Sequence, residues 1–307
     1  MKINTVAVLG VGAIGGYFIW GLSEKLRDRL WVIADGERKK RLERDGLWIN
    51  NVNYPLHVRT PQEARGADLL LIATKYGALP DILEDVAAVV DDHTTVLSLL
   101  NGVDSEEIIG ALIGTEHILP SIMKIASRRI GNRITFDGPT SLGLYFGESG
   151  QREPSERMLA IADLLNGTPL HYHMRKEIEV DIWKKYALNI SQNLPQALLG
   201  CGIGAYADSE HVAALSHMLR EEVIAVAAAR GLDISSVRIS LKTSPVDKSA
   251  RYSTLQDLDA GRHTEIHMFS GALGRMGRAS GVPTPCNDFM FHAIRALEEK
   301  NDGKFDY

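Results

Sequence analysis

The glycines near the N-terminus constrain the fold more than any other feature of this 307-residue chain. The segment VAVLGVGAIGGYFIWGL begins as an apolar run typical of a buried strand and continues, after the first glycine, as an apolar stretch of helix length. Gly10, Gly12 and Gly15 have the spacing G-x-G-x-x-G. The first glycine permits a tight turn, the second lets a pyrophosphate approach the backbone, and the third lets the helix pack on the strand. The segment predicts a dinucleotide-binding unit.

An acidic residue at the end of the next apolar run supports this interpretation. The run LWVIAD ends in Asp35, about 20 residues after the glycine motif. A carboxylate at that position normally accepts hydrogen bonds from the adenosine ribose hydroxyls. Asp35 therefore favours NAD over NADP. The basic residues 38–41 follow at once, and they are interpreted either as a solvated helix face or as a contact for a ribose phosphate.

Two further apolar runs predict buried parallel strands that end in candidate ligand contacts. ADLLLIATKY includes Lys75 near its end, and TTVLSLLNG includes Asn101. Because ligands of open α/β sheets collect at the carboxyl ends of the strands, both side chains are expected at the cofactor site. The alternative for Asn101 is a structural Asn-Gly turn. Short β-rich runs between about residues 118 and 147 are expected to extend this sheet at one edge.

The character of the chain changes near residue 174. The second half is predicted to be mostly helical, as in SEHVAALSHMLREEVIAVAAARG, which has Ser209 as its N-cap and ends at Gly231. We therefore expect an α/β fold with two domains. Residues 1–174 are expected to form a Rossmann-type doubly wound sheet, and residues 175–307 an all-helical substrate and catalytic domain.

The charge of the chain favours a small molecule as its partner. The net charge is −5 and no long basic run is present, so neither a nucleic acid nor a membrane is the expected partner. Glycines interrupt the apolar N-terminus, so it is not expected to be a signal peptide or a membrane span, and we expect a cytoplasmic protein. Cys201 and Cys286 are too few for a disulfide framework, and no metal site is expected.

A polar stripe marks one helix of the second half. Lys185, Asn189 and Asn193 are four residues apart in WKKYALNISQN, a spacing that places them on nearly one side of a helix. Such a stripe often faces solvent. Here Ile178 and Ile182 share its sector, and a separate apolar face is formed by Trp183, Tyr186, Ala187, Ile190 and Leu194. The pattern predicts a helix that is covered on more than one side.

Five motifs, taken in order along the chain, resemble the ketopantoate reductase (2-dehydropantoate 2-reductase) family. They are G-x-G-A-I-G-G at 10–16, TK at 74–75, NG at 101–102, WKKYALNISQN, and STLQD followed by GRHTEI. The resemblance covers nearly the whole chain and is most specific in the second half. It implies NAD(P)H-dependent reduction of 2-dehydropantoate to (R)-pantoate, in pantothenate and coenzyme A biosynthesis, by a monomer or homodimer that binds a 2-oxo acid.

The resemblance also implies roles for individual side chains. Lys185 matches the family's general acid, and Glu265 matches an acidic residue near the lysine and the substrate hydroxyl. The residues expected to bind substrate are Asn189, Asn193, Ser253 and Asn101. Those expected to bind the cofactor are Gly10, Gly12, Ala13, Ile14, Gly15, Asp35, Lys75 and Asn101. Considered alone, Glu265 would form a surface salt bridge with Arg262 or His263, and Ser253 would cap a helix.

Two positions depart from the family pattern. Asp35 stands where the family commonly has an arginine that holds the NADPH phosphate, and Leu100 stands where a glutamine commonly precedes Asn-Gly. The first departure favours NAD(H) over the NADP(H) that the resemblance implies, and the second predicts altered contacts beside the nicotinamide. The alternatives are a related reductase of another 2-oxo acid, a non-catalytic dinucleotide sensor, and a methyltransferase that binds an adenosyl ligand.

Overall fold

The protein, a computed structural model, is described here over residues 2–150, 153–237 and 247–307. Its strands are β1 (Val6–Leu9), β2 (Leu30–Ile33), β3 (Leu47–Ile49), β4 (Val52–Tyr54), β5 (His57–Arg59), β6 (Leu69–Ile72), β7 (Thr95–Ser98), β8 (Ser121–Lys124), β9 (Ser127–Ile130), β10 (Arg133–Phe136), β11 (Gly143–Gly147) and β12 (Tyr172–Arg175). Its helices are α1 (Ala13–Leu26), α2 (Gly36–Asp45), α3 (Leu79–Val89), α4 (Ser105–Ile113), α5 (Glu156–Leu165), α6 (Ile178–Leu199), α7 (Ala205–Asp208), α8 (Glu210–Ala229), α9 (Ser253–Asp259), α10 (Ala272–Ser280) and α11 (Pro285–Asn301).

A parallel five-stranded sheet organises the first half of the chain. Its order is β5-β2-β1-β6-β7, and the central strand β1 is buried along its whole length. Val6 and Val8 pack in a core with α1, whereas Ala7 and Leu9 pack in a second core with α3, as the two-residue period of a strand requires. Helices therefore cover both faces of the sheet, which confirms the predicted Rossmann-type architecture.

Strands β8 to β11, between residues 118 and 147, belong to other sheets, so the expectation was wrong for them. A parallel bridge between Ile118 and Val96 joins the start of this stretch to the edge strand β7. Strands β8, β11 and β12 form a three-stranded sheet, while β3, β4, β9 and β10 form a four-stranded one. In the four-stranded sheet the β3–β4 hairpin turns at Asn50 and Asn51, both of which have positive φ, a conformation that asparagine tolerates. Strand β10 pairs with β3 of this hairpin and not with the parallel sheet, and Arg133 lies opposite Trp48.

The chain divides into two compact units, Met1–Ile178 and Glu179–Tyr307, just after the boundary placed at 174 by the sequence. All described elements of the second unit are helical, as predicted. The hydroxyl of Ser209 caps α8 by accepting a hydrogen bond from the N–H of Val212, and Gly231 follows the helix with φ 81°. Over the described ranges, no helix has the length and apolar character needed to cross a membrane, and no group of three or more acidic, histidine or cysteine side chains could hold a metal ion.

The substitution Gly15→Ala tests the packing of α1 on β1. A β-carbon at Gly15 would lie 2.0 Å from the carbonyl oxygen of Gly10 and 3.3 Å from Cγ1 of Val8, so the helix would have to move. We expect the free energy of unfolding to fall by about 1–3 kcal/mol, measured by urea denaturation. In the control Gly77→Ala, the new β-carbon meets no atom within 4 Å, and a change within about 0.5 kcal/mol is expected. Equal stabilities for the two variants would contradict the described packing.

Candidate functional site

Four of the predicted cofactor positions lie at one edge of the parallel sheet. Leu9 pairs in register with Ile33 and with Ile72 on either side, and Ile72 pairs with Ser98. The carboxyl ends of the four strands are therefore level. The predicted residues that follow these ends are Gly10, Asp35, Lys75 and Asn101. This is the edge at which open α/β sheets bind ligands.

Gly10 is required by the packing of the protein itself, whereas Gly12 is not. Gly10 has φ 106°, and a β-carbon there would lie 2.7 Å from the carbonyl carbon and oxygen of Ala73. The protein itself therefore requires glycine at this position. At Gly12, φ is −77°, and the nearest atoms to an added β-carbon are the Ala73 oxygen at 3.7 Å and Nη1 of Arg129 at 3.9 Å. The protein has space for alanine at Gly12, so a glycine there fits a ligand that approaches the backbone.

The start of α1 fits a bound anion. Gly12 is the N-cap, no side chain caps the helix, and its first turn holds no acidic residue. The first N–H groups of a helix have no partner within the helix, and together with the helix dipole they favour negative charge. Ala13 and Ile14 are half-buried in this first turn. The arrangement therefore fits the pyrophosphate of a dinucleotide.

Asp35 is exposed and directly precedes α2. It occupies the N-cap position, yet its side chain makes no capping hydrogen bond, so the carboxylate can accept hydrogen bonds from ribose hydroxyls. In the basic run that follows, Lys39 pairs with Glu63 at 2.6 Å and Lys40 pairs with Glu37 at 2.7 Å. The two lysines are therefore part of the polar surface of the helix, which was one of the two interpretations of this run.

A buried polar network supports the loop that contains Asn101. The hydroxyls of Ser98 and Ser105 lie 2.8 Å apart, and Ser121 donates a hydrogen bond to the carbonyl oxygen of Ser98 at 2.9 Å. Oε1 of Glu106 accepts a hydrogen bond from the N–H of Ser121 at 3.3 Å. Burial raises the pKa of Glu106 to about 7, and the nearby carboxylate of Asp104 adds to this rise. Sequence reasoning missed this network, since the letters DSEE indicate only an acidic helix start.

In the second unit, helix α6 carries the polar stripe. Asn193 is only 5% exposed, and Lys185 and Asn189 are half-buried. The apolar residues of both predicted sectors are all buried: Ile178, Ile182, Trp183, Tyr186, Ala187, Ile190 and Leu194. The helix is thus covered on more than one side, as predicted, and the stripe is not a fully solvated face.

The hydroxyl of Tyr186 joins α6 to the segment that contains Glu265. It donates to the carbonyl oxygens of Met268 at 3.1 Å and Phe269 at 2.6 Å. The N–H groups of the same two residues bond to the carbonyl oxygen of Glu265 at 3.0 and 3.1 Å. Because Tyr186 directly follows Lys185, the chain segments that bear Lys185 and Glu265 are held side by side within this unit.

Neighbouring ion pairs define the surroundings of Glu265. Arg262 pairs with Asp257 at 2.8 Å, and the imidazole of His263 lies 2.9 Å from a carboxylate oxygen of Asp302, so the two side chains considered as surface partners of Glu265 contact other carboxylates. The preceding residue, Thr264, donates its N–H and its hydroxyl to Oε1 of Glu298, each at 2.6 Å. Since Glu298 is 1% exposed, this segment is anchored to the interior of the unit.

Two glutamines of α6 position the residue before Ser253. Oε1 of Gln196 accepts a hydrogen bond from the N–H of Tyr252, and Oε1 of Gln192 accepts one from its hydroxyl, both at 2.6 Å. Ser253 itself is exposed and is the first residue of α9, whose N-cap is Tyr252. The cap interpretation of Ser253 is therefore wrong. Sequence reasoning missed both glutamines, although their four-residue spacing beside Asn193 was a usable signal.

Comparisons with known proteins cover both units. The family model described as ketopantoate reductase PanE/ApbA matches residues 6–150, and the model of its C-terminal domain matches residues 177–298. A 2-dehydropantoate 2-reductase of Streptococcus pyogenes is 27% identical over 302 residues, covering 95% of this chain and 97% of the relative.

Two solved structures have the same fold along nearly the whole chain. A PanE/ApbA family ketopantoate reductase from Ralstonia eutropha JMP134 has a TM-score of 0.81 at 24% identity, covering 97% of this chain and 99% of the other. A D-mandelate dehydrogenase in a ternary structure with NADH and anilino(oxo)acetate has a TM-score of 0.83 at 23% identity, with the same coverage. At these identities the likeness shows the fold alone.

The substitution Glu106→Gln tests the buried carboxyl group. The pKa of Glu106 is about 7 in the folded protein, above the ordinary 4.5. The protonated carboxyl group therefore adds to the unfolding free energy in full below the ordinary pKa, and this addition is lost as pH rises through 7. Between about pH 5.5 and pH 8, the variant should gain roughly 1–2 kcal/mol of unfolding free energy relative to the unsubstituted protein. The control is Glu107→Gln, at an exposed position on the same helix. A pH dependence in Glu106→Gln that matches the unsubstituted protein would refute the burial effect.

Proposed function

Because this chain belongs to the ketopantoate reductase family, we propose that it reduces 2-dehydropantoate to (R)-pantoate with a nicotinamide cofactor. The observation that carries the proposal is the covered polar stripe of α6, with Asn193 buried and Lys185 half-buried. The segments before Ser253 and after Glu265 are hydrogen-bonded to the same helix. Helix α6 thus carries or contacts the chain segments of the proposed substrate residues of the second unit, Lys185, Asn189, Asn193, Ser253 and Glu265.

The first unit has the residues that would bind a dinucleotide. The backbone from Gly12 to Gly15 would hold the pyrophosphate at the start of α1, and Asp35 would accept hydrogen bonds from the adenosine ribose. Lys75 and Asn101, at the ends of the two neighbouring strands, would line the nicotinamide side. The bound cofactor supplies a hydride to the carbonyl carbon of the substrate.

Lys185 is proposed as the general acid. Addition of a hydride to a ketone builds negative charge on the carbonyl oxygen, so a positioned donor must give that oxygen a proton. An ammonium at a half-buried helical position is less screened by water, so it interacts more strongly with this charge than it would in bulk solvent. Glu265 would orient the ammonium through its opposite charge.

The remaining polar side chains are proposed to orient the substrate. Asn189 and Asn193 offer neutral donors and acceptors for the hydroxyl and carbonyl groups of a hydroxy-keto acid. The hydroxyl of Ser253 would donate to its carboxylate. Holding a reactant in one orientation can lower a barrier by several kcal/mol, and the hydrogen bonds of Gln192 and Gln196 to Tyr252 serve this by fixing the chain beside Ser253.

One observation favours a second candidate within the same family. Leu100 stands where a glutamine commonly precedes Asn-Gly, and it is 5% exposed within an apolar core. An apolar residue there changes the surroundings of the Asn101 loop, which favours a reductase of another branched 2-oxo acid. Membership of an oxidoreductase family, by contrast, argues against the sensor and the methyltransferase alternatives.

The substitution Lys185→Ala should lower kcat by about 10²-fold or more, because the developing oxyanion loses its proton donor. The Kd for the cofactor should stay within about twofold, since the proposed role does not involve cofactor binding. Steady-state rates and a fluorescence titration with NADH measure the two effects. Lys184→Ala, one residue earlier on the same helix, is the matched control and should keep its turnover. Equal rates for the two variants would remove Lys185 from the mechanism.

We expect NADH to be preferred over NADPH, because the carboxylate of Asp35 repels a ribose phosphate. Initial rates with both cofactors, across a panel of branched 2-oxo acids that includes 2-dehydropantoate, measure the preference and identify the substrate. In Asp35→Ala the ratio of kcat/KM values should shift toward NADPH by about tenfold or more. Glu37→Ala, at the adjacent exposed acidic residue, should leave it unchanged. A preference that survives in Asp35→Ala would contradict this assignment.

A further inference from the structure

Three guanidinium groups lie near the glycine turn. Nη1 of Arg129, on β9, lies 3.9 Å from the place of a β-carbon on Gly12, so its charged end is beside the first turn of α1. Arg38 and Arg41 of α2 are close enough to act on it. Burial lowers the pKa of Arg129, and the positive charges of these two arginines lower it further. The cluster is thus electrostatically unfavourable in the protein by itself.

The carboxylates nearest this cluster act on it from a distance, Asp85 on Arg38 and Asp45 on Arg41, and neither acts on Arg129. The ion pairs of α2 use its other cations, since Lys39 pairs with Glu63 and Arg44 with Asp45. Over the residues that the structure describes, no ion pair includes any of the three arginines of the cluster. The mutual repulsion of like charges that are not held in ion pairs is relieved when an anion binds among them.

The side chain of Arg129 is oriented by its own hairpin. Its Nε donates a hydrogen bond to the carbonyl oxygen of Gly131 at 2.9 Å, in the turn between β9 and β10, where Gly131 has φ 61°. This bond uses one edge of the guanidinium. The two terminal nitrogens remain for a ligand, and their planar fork matches a pair of phosphate oxygens.

We propose that Arg129 binds the pyrophosphate of the dinucleotide against the start of α1. The inference rests on the proposed function and adds to it a cofactor-binding residue from a sheet that is separate from the Rossmann strands. Its terminal nitrogen lies at Gly12, where the protein has space that a pyrophosphate would use. The contact is therefore common to NADH and NADPH and does not depend on the ribose phosphate.

The test compares Arg129→Gln with Arg128→Gln. The two positions are adjacent on β9, so their side chains point to opposite faces while the loss of charge is the same. Calorimetric titrations use NADH, NADPH, ADP and adenosine, of which only adenosine has no phosphate. Arg129→Gln should weaken NADH, NADPH and ADP by about 10- to 100-fold and leave adenosine within about twofold. Arg128→Gln should stay within about threefold for all four ligands.

The outcomes separate this inference from the proposed function. If the unsubstituted protein binds neither NADH nor NADPH, the proposed function fails and the inference falls with it. If it binds them and the two variants behave alike, the role of Arg129 alone is refuted. A loss confined to NADPH would place the contact at the ribose phosphate and overturn the pyrophosphate assignment. An equal loss for adenosine would show a disturbed fold and overturn it as well.

Discussion

The close approach of α1 to β1 is the constraint on which the nucleotide-binding half depends. Gly10 and Gly15 bring the two backbones to a separation that leaves no room for a β-carbon on Gly15. The start of the helix therefore lies at the carboxyl edge of the sheet instead of above its face. Since the four strands are in register, the residues that follow them converge on the same edge. The end of the helix proposed to bind the pyrophosphate and the residues proposed to contact the rest of the dinucleotide thus share one location.

The helical half depends in a similar way on α6. Its apolar side chains place it in the interior, and three polar side chains then hydrogen-bond to segments that are distant in sequence: Tyr186, Gln192 and Gln196. Buried polar groups that find backbone partners favour one arrangement of the chain over others of similar hydrophobic burial. The residues proposed to act on the substrate are therefore held by a regular element, which gives more precise positions than loops would.

Local rules predicted much of this structure, and the limits of those rules are visible at particular residues. The glycine spacing, the apolar runs and the cap at Ser209 depend on neighbours in sequence, so a single chain reveals them. The alternation in residues 118–147 identified strands but not their partners, because pairing depends on which edges the rest of the chain exposes. The surroundings of Glu106 and Arg129 are formed by segments distant in sequence, Ser121 for Glu106 and Gly12 for Arg129. The roles of Lys185 and Glu265 came from resemblance to a family, since a helical stripe and an isolated acid have ordinary structural uses.

The separation of the three sheets has a consequence for how such enzymes diversify. The hairpin of β9 and β10 pairs with β3 and shares no strand with the parallel sheet. Substitutions or insertions in this hairpin can therefore accumulate while the hydrogen-bonded ladder of the five parallel strands stays intact. The charge of this hairpin, which includes Arg128 and Arg129, can therefore differ between relatives while the strands that lead into the glycine turn keep their pairing.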